Sequence, residues 1–182
     1  MSLEEAQRLL GELKFNDIYI GDFVRALRSA LEHGNRIWLA GNGGSASTVS
    51  HFASDLMNLG FDVLCLTDNV SRLTALTNDV CWDAVYVKQL DNFREHDILI
   101  LISVHGGGDI NETWSGNLLL AAVEAKKKGG KILSLIGSNG GRLKGLSDVF
   151  VIVPSESACY VEGLHSVITH LICERLKETR QE

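Results

Sequence analysis

The stretch IWLAGNGGSASTVSHFASDL, Ile37–Leu56, runs from an apolar strand through a glycine-rich turn into a helix. Four further apolar runs follow it, and helical segments separate most of them. Such alternation predicts a parallel sheet with helices on both faces, and almost continuously apolar strands are typical of a sheet buried on both sides. The five predicted strands lie in RIWLAG, DVLCLT, DILILISV, KILSLIGS and VFVIVP.

Two helices are predicted before the first strand. Ser2 and Glu5 have the spacing of a capping box, and Gly34 is expected to end the second helix. The chain has 182 residues and no repeat or linker, so we expect a single domain over residues 1–182. Within it, residues 1–34 form the N-terminal helices and residues 35–182 form a three-layer α/β core.

Composition limits the function. A net charge of −6 and a pI near 5.5 provide no basic field, so we expect a small metabolite as ligand and no nucleic acid. The acidic start MSLEEAQRLL is unlike a signal peptide, and no apolar run reaches the ~20 residues of a membrane span. We therefore predict a cytoplasmic protein without membrane contact. The chain has four cysteines, at Cys65, Cys81, Cys159 and Cys173. Their spacing is not that of metal ligands, which is consistent with a reducing compartment.

The turn AGNGGS has neither the dinucleotide-binding GxGxxG spacing nor the lysine of a GxxxxGK[ST] loop. Its glycines leave backbone N–H groups free, Asn42 and Ser45 add hydrogen-bonding groups, and a helix N-terminus follows. These features suit a small phosphate. A simple turn between strand and helix is the alternative.

Polar residues lie opposite the apolar face of the helix that follows. The apolar face is formed by Val49, Phe52, Ala53 and Leu56. At ~100° per residue, His51 and Asp55 lie on the opposite face with Ser47. A histidine and a carboxylate four residues apart can share a metal or a substrate, or they can belong to a solvated surface.

The C-terminal helix repeats this arrangement. Its apolar stripe consists of Val161, Leu164, Val167, Ile168 and Leu171. Glu162, Ser166 and His170 form a polar row on the other side, and His165 lies near the boundary, where packing is the more favoured role.

GNGGS, the His51–Asp55 pair, LTND and the Glu162–His170 spacing together resemble the sugar isomerase (SIS) domain family, and within it the phosphoheptose isomerases. The resemblance implies a flavodoxin-like fold, a homotetramer with active sites at subunit contacts, and one zinc or other divalent metal per subunit. It also implies ketose–aldose isomerisation of sedoheptulose 7-phosphate to D-glycero-D-manno-heptose 7-phosphate. This is the first step of nucleotide-activated heptose synthesis for lipopolysaccharide or capsule.

The resemblance assigns roles to residues of this chain. The implied metal ligands are His51, Asp55, Glu162 and His170. Asp55 is the expected base, His170 the partner acid and Glu162 the reserve base. The sugar phosphate maps onto Asn42, Gly43, Gly44, Ser45, Ser103, His105 and Ser115, with Asp79 near the substrate.

The chain departs from the family pattern at three places. Asp55 stands where the family usually has glutamate, and Glu162 stands where it usually has glutamine. The second phosphate loop, SVHGGGDINETWSGN, reads as though about seven residues were inserted before Ser115, with His105 in place of a serine. The insertion brings His105 and Asp109 to the mouth of the site or forms a surface loop, and its three glycines provide backbone donors or flexibility.

Two questions stay open at the level of the sequence. Eight helical residues place Glu162 and His170 ~12 Å apart along the axis, too far for one metal unless the helix start frays or another subunit contributes. The alternative functions are isomerisation of another sugar phosphate and a non-catalytic SIS protein of the type that associates with the replication initiator.

Overall fold

The computed structural model describes residues 2–108 and 114–178. Its five strands pair in parallel in the order β2-β1-β3-β4-β5, which confirms the predicted sheet and is the flavodoxin-like order. The strands are β1 (Ile37–Gly41), β2 (Val63–Cys65), β3 (Ile98–Ser103), β4 (Lys131–Gly137) and β5 (Val149–Val153).

Seven α-helices are present in the part of the chain that the structure describes. Ser2 caps the first, because its Oγ accepts the N–H of Glu5 at 3.2 Å, and Gly34 ends the second with φ of 69°, as predicted. The helices are α1 (Leu3–Glu12), α2 (Asp17–His33), α3 (Gly44–Asn58), α4 (Val70–Asp79), α5 (Gly116–Lys127), α6 (Gly141–Leu146) and α7 (Ala158–Glu178). Short 3₁₀ turns lie at Leu13–Asn16, Trp82–Ala84 and Val87–Gln89.

Alternate side chains of the sheet enter two separate cores. On one face, Leu39 and Ile100 pack with residues of α1, α2, α3 and α7, among them Phe52. On the other face, Trp38 and Leu101 pack with residues of α4, α5 and α6. The sheet is therefore the middle of three layers. Within the described residues, no helix combines the length and the apolar character that a membrane crossing requires.

A buried carboxylate joins β1 and β3 at the amino edge of the sheet. Asp97 accepts hydrogen bonds from the backbone N–H of Arg36 at 2.9 Å, the indole N–H of Trp38 at 2.9 Å and the backbone N–H of Arg94 at 3.0 Å. Three donors offset the cost of burying the charge. This contact helps to align the two strands whose other ends carry the predicted loops.

Candidate functional site

The carboxyl ends of β1 and β3 meet where the strand order reverses. Gly41 pairs with Ile102, so GNGGS and the loop after Ser103 start side by side. Crevices at such a reversal are the usual ligand sites of open parallel sheets. A reciprocal pair of side-chain amides links the two loops. Asn42 Nδ2 donates to Asn117 Oδ1 at 3.0 Å, and Asn117 Nδ2 donates to Asn42 Oδ1 at 2.9 Å.

The GNGGS loop leads directly into α3. Gly43 has φ of 56°, a conformation that favours glycine, and as the N-cap residue it has no side chain with which to cap the helix. Gly41 must also lack a side chain, because a Cβ atom there would lie 2.7 Å from the Ser45 carbonyl oxygen. Gly43 thus leaves the backbone donors of the first turn without the side-chain cap that serine or aspartate would provide at its position, and such a helix N-terminus suits an anion.

Helices α3 and α7 pack together in parallel. Glu162 on α7 lies against Gly44, where a Cβ atom would be only 2.4 Å from its Oε1. Two turns further along both helices, His51 Nε2 and His170 Nε2 are 3.1 Å apart. Because the two contacts occur in the same order on both helices, the polar faces predicted from the sequence face each other.

His51, Asp55 and His170 converge, and we call them the His–Asp–His cluster. Asp55 Oδ2 lies 3.5 Å from His51 Nε2 and 3.9 Å from His170 Nε2. The side chains of both histidines are more than half exposed, and Asp55 is 28% exposed. Their ligand atoms lie within 4.8 Å of one another.

The dimensions of the cluster fit a tetrahedral zinc ion. Zinc binds imidazole nitrogen and carboxylate oxygen at ~2.0–2.2 Å, which places neighbouring ligand atoms ~3.3–3.6 Å apart. The three observed separations, 3.1, 3.5 and 3.9 Å, bracket that range. Three protein ligands leave a fourth position open, as in catalytic rather than structural zinc sites.

Glu162 is not part of this cluster, although the family resemblance grouped it with the other three as a metal ligand. α7 begins at Ala158, so Glu162 lies inside the helix and not in a frayed start. Eight residues of helix therefore separate it from His170 by ~12 Å along the axis. Within one chain, the structure divides the predicted set into three residues at one end of α3 and Glu162 at the other.

The glycines of the second loop form a fixed turn. Ser103 Oγ accepts the N–H of Gly106 at 3.1 Å, and Gly106, Gly107 and Gly108 have φ values of 60°, 88° and 65°. All three glycines are buried. A Cβ atom on Gly106 would lie 2.0 Å from the carbonyl oxygen of Gly140. Packing therefore requires glycine at position 106, and the positive φ values favour glycine at all three positions. The structure thus gives these glycines a fixed conformation and not a flexible one.

Beyond the glycines, His105 and Trp114 pack edge to face with ring centroids 4.5 Å apart. Ser115 lies immediately before α5, in a left-handed conformation with φ of 55°. Asp109, predicted at the mouth of the site, lies outside the described residues.

Asp79 ends α4 as an exposed residue and accepts a hydrogen bond from Asn78 Nδ2 at 2.8 Å. Its approach to the substrate stays a prediction.

His165 is completely buried in the described structure. Neither ring nitrogen has a hydrogen-bond partner of normal geometry there. Burial lowers the pKa of His165 to about 4, and the Ile136 backbone opposes this only in part. The side chain is thus a neutral packing group at physiological pH.

A cleft of about 300 Å³ opens beside the cluster. It is lined by Asp55, Asn58, Leu59, His170, Cys173, Glu174 and Lys177. Burial, and then the charge of Asp55, raise the pKa of Cys173 to about 12.

The sequence reading missed two groups between α4 and β3. The buried hydroxyl of Tyr86 donates to the Gly41 carbonyl oxygen at 2.6 Å and lies 3.1 Å from Asn42 Oδ1. The Asp83 carboxylate packs where a Cβ atom on Gly116 would be, at 2.8 Å. The available signal was a tyrosine in an otherwise apolar segment, because a buried tyrosine needs a partner for its hydroxyl.

Comparison with known proteins identifies the family of the chain. The SIS domain model matches residues 3–137. A phosphoheptose isomerase of Helicobacter pylori (strain Shi470) is 37% identical over 158 residues, covering 83% of this chain and 79% of that protein. The phosphoheptose isomerase of a Nitratiruptor species is 32% identical over 180 residues, covering 95% of this chain and 91% of that protein.

The same relationship holds for solved structures. The structure of a phosphoheptose isomerase from Francisella tularensis superimposes with a TM-score of 0.88 at 29% identity, over 96% of this chain and 94% of that one. The resemblance found in the sequence is thereby confirmed. The chain belongs to the SIS domain family and, within it, to the phosphoheptose isomerases.

Proposed function

We propose that the protein is an isomerase that interconverts sedoheptulose 7-phosphate and D-glycero-D-manno-heptose 7-phosphate. The observation that carries the proposal is the arrangement along α3, with an uncapped glycine loop at its start and the His–Asp–His cluster two turns later. A phosphate and a carbonyl group at opposite ends of one substrate match these two ends. The names of the related proteins support the same activity.

At the phosphate end, we assign binding to two loops. The first provides Asn42, Ser45 and the backbone N–H groups of Gly43 and Gly44. The second provides Ser103, His105 and Ser115. The hydrogen-bonded pair of Asn42 and Asn117 supports the assignment, because it brings the two loops together.

At the other end, His51, Asp55 and His170 would hold one zinc ion per subunit, which polarises substrate oxygen atoms when bound. We assign the transfer of the proton between the two carbon atoms to Asp55. His170 would exchange the proton on the neighbouring oxygen. His51 would serve as ligand only. Glu162 stays the reserve base, and its distance from the cluster makes it the weaker candidate.

Quaternary structure belongs to this proposal. We infer a homotetramer with sites at subunit contacts, located in the cytoplasm and binding neither nucleic acid nor membrane. Apolar side chains on the N-terminal helices support association, since Leu3 and Ile18 are 86% and 73% exposed. Light scattering on the purified protein measures the subunit number directly.

The test is incubation with sedoheptulose 7-phosphate, with and without a chelator, and measurement of the aldose product. We expect turnover that the chelator abolishes and zinc restores. Correctly folded Asp55→Asn and His170→Gln variants should both lose activity, and full activity in both would overturn the catalytic assignment. His105 and the longer second loop favour a different sugar phosphate as the second candidate. A panel of ketose phosphates tests it, and metal binding without turnover on any of them indicates a binding protein.

A further inference from the structure

Tyr86 is a buried polar group that the proposed chemistry does not use. It is 1% exposed and packs in the core between the sheet and α5. Its hydroxyl is shared between the Gly41 carbonyl oxygen at 2.6 Å and Asn42 Oδ1 at 3.1 Å. Burial raises the pKa of Tyr86 above its usual value, so the hydroxyl remains a donor across the physiological range.

The orientation of the neighbouring amides follows from a single backbone group. The N–H of Leu118 donates to Asn117 Oδ1 at 2.9 Å, which fixes which end of the Asn117 amide is oxygen. Asn117 Nδ2 must then face Asn42 Oδ1, and Asn42 Nδ2 must face Asn117 Oδ1. Asn42 Oδ1 in turn faces the Tyr86 hydroxyl.

The partners of the Asn42 side chain leave one of its N–H groups for a ligand. A carboxamide oxygen accepts two hydrogen bonds and its nitrogen donates two. The oxygen of Asn42 accepts from Asn117 Nδ2 and shares the single proton of the Tyr86 hydroxyl with the Gly41 carbonyl oxygen, and one N–H of Asn42 is occupied by Asn117 Oδ1. Among the described residues, one N–H of Asn42 has no partner, and its direction is fixed by Asn117 and Tyr86.

We infer that Tyr86 is a positioning residue for phosphate binding. Its hydroxyl holds the Asn42 side chain so that the remaining N–H points in one fixed direction. A donor held in place before binding avoids the entropy loss of ordering it on binding. The inference rests on the proposed function in taking the ligand to be a sugar phosphate.

The test replaces Tyr86 by phenylalanine, which removes one oxygen atom and leaves the ring in the core. Ordering a side chain that is no longer held before binding costs ~0.5–1.5 kcal/mol, which corresponds to about 2- to 12-fold in affinity. We expect the dissociation constant of inorganic phosphate, measured by calorimetry, to rise by this factor. The KM for sedoheptulose 7-phosphate should rise equally, with kcat within about twofold of wild type.

Tyr160→Phe is the matched control, because its hydroxyl donates to the Ser2 carbonyl oxygen at 3.0 Å and touches neither loop. It should leave phosphate affinity unchanged. In an Asn42→Ala background, Tyr86→Phe should have no further effect, since its influence passes through Asn42. A purely structural role would instead change the midpoint of thermal unfolding without this dependence on Asn42.

Three outcomes would overturn the inference. The first is a phosphate affinity of Tyr86→Phe within twofold of the wild-type value. The second is a loss of phosphate affinity on Tyr86→Phe that is as large in the Asn42→Ala background as in the wild type. The third is no measurable phosphate binding to the wild-type protein. Absence of turnover in the wild type with intact phosphate binding would instead reject the proposed function, while the phosphate measurements still decide the role of Tyr86.

Discussion

His165 gives the chain a predictable weakness towards acid. The side chain is completely buried without a hydrogen-bond partner of normal geometry among the described residues, and its pKa falls to about 4. In the unfolded chain a histidine titrates near ~6.5. Between these two pH values the unfolded state binds a proton that the folded state excludes, so the free energy of unfolding must fall as the pH falls.

The size of the effect follows from the width of this window. Stability linked to His165 is fully present above pH ~6.5 and is lost at up to ~1.4 kcal/mol per pH unit as the pH falls towards 4. Between pH 7 and pH 4.5 the loss amounts to about 2 to 3 kcal/mol, a large part of the ~5–15 kcal/mol that stabilises a typical domain.

The perturbation is His165→Leu, which replaces the titrating ring by an apolar group of similar volume. Urea unfolding at fixed protein concentration should show the variant as stable as the wild type or more so at pH 7, and more stable by about 2 to 3 kcal/mol at pH 4.5. Thr169→Val, at a buried position in the same helix, is the control and should show a pH-independent difference. A constant difference between wild type and His165→Leu from pH 7 to 4.5 would refute the reasoning.

Three further variants test the site. Glu162→Gln should bind inorganic phosphate several-fold more tightly in calorimetry, because the carboxylate against Gly44 repels an anion at the start of α3. The same variant should keep the zinc content of the wild type. His170→Ala should lose zinc by elemental analysis, and retention of one zinc per chain would contradict the three-ligand cluster. Gly106→Ala should lower the free energy of unfolding by more than ~1 kcal/mol, because the added methyl group would clash with Gly140. Gly163→Ala is the control and should raise the free energy of unfolding, since no atom lies within 4 Å of its added methyl group. Equal effects of the two substitutions would be inconsistent with a packed loop.

The sheet and the polar helix faces were predictable because both depend on local periodicity. Five apolar runs identify five strands, and helical spacing places His51 and Asp55 opposite Phe52 whatever the helix packs against. The segment between α4 and β3 has no such period. Tyr86 lies there, and its partners are more than 40 residues away in the chain, so no spacing rule could pair them.

The position of Glu162 shows a second limit of the same kind. Periodicity assigns a residue to a face of its helix, but it does not say which turn of a neighbouring helix that residue meets. The family resemblance grouped four ligands on two polar faces, although helical rise already put Glu162 and His170 ~12 Å apart. The parallel packing of α3 and α7 places Glu162 beside Gly44, away from the other three. That register is set by tertiary packing of the apolar faces, which the sequence of either helix alone does not contain.

The parallel register also gives the site a length. Seven helical residues separate Gly44 from His51, a rise of ~10 Å, and the eight residues from Glu162 to His170 give a rise of ~12 Å on the facing helix. Each pair of carbon atoms removed from an extended sugar shortens it by about 2.5 Å, given C–C bonds of ~1.5 Å. A phosphate held at the start of α3 would then leave the carbonyl of a five-carbon substrate well short of the cluster, and misplacement by ~1 Å already costs ~100-fold in rate. Under the proposed assignment, both ends of the site belong to the same pair of packed helices, so we expect their separation to favour a seven-carbon over a five-carbon sugar phosphate.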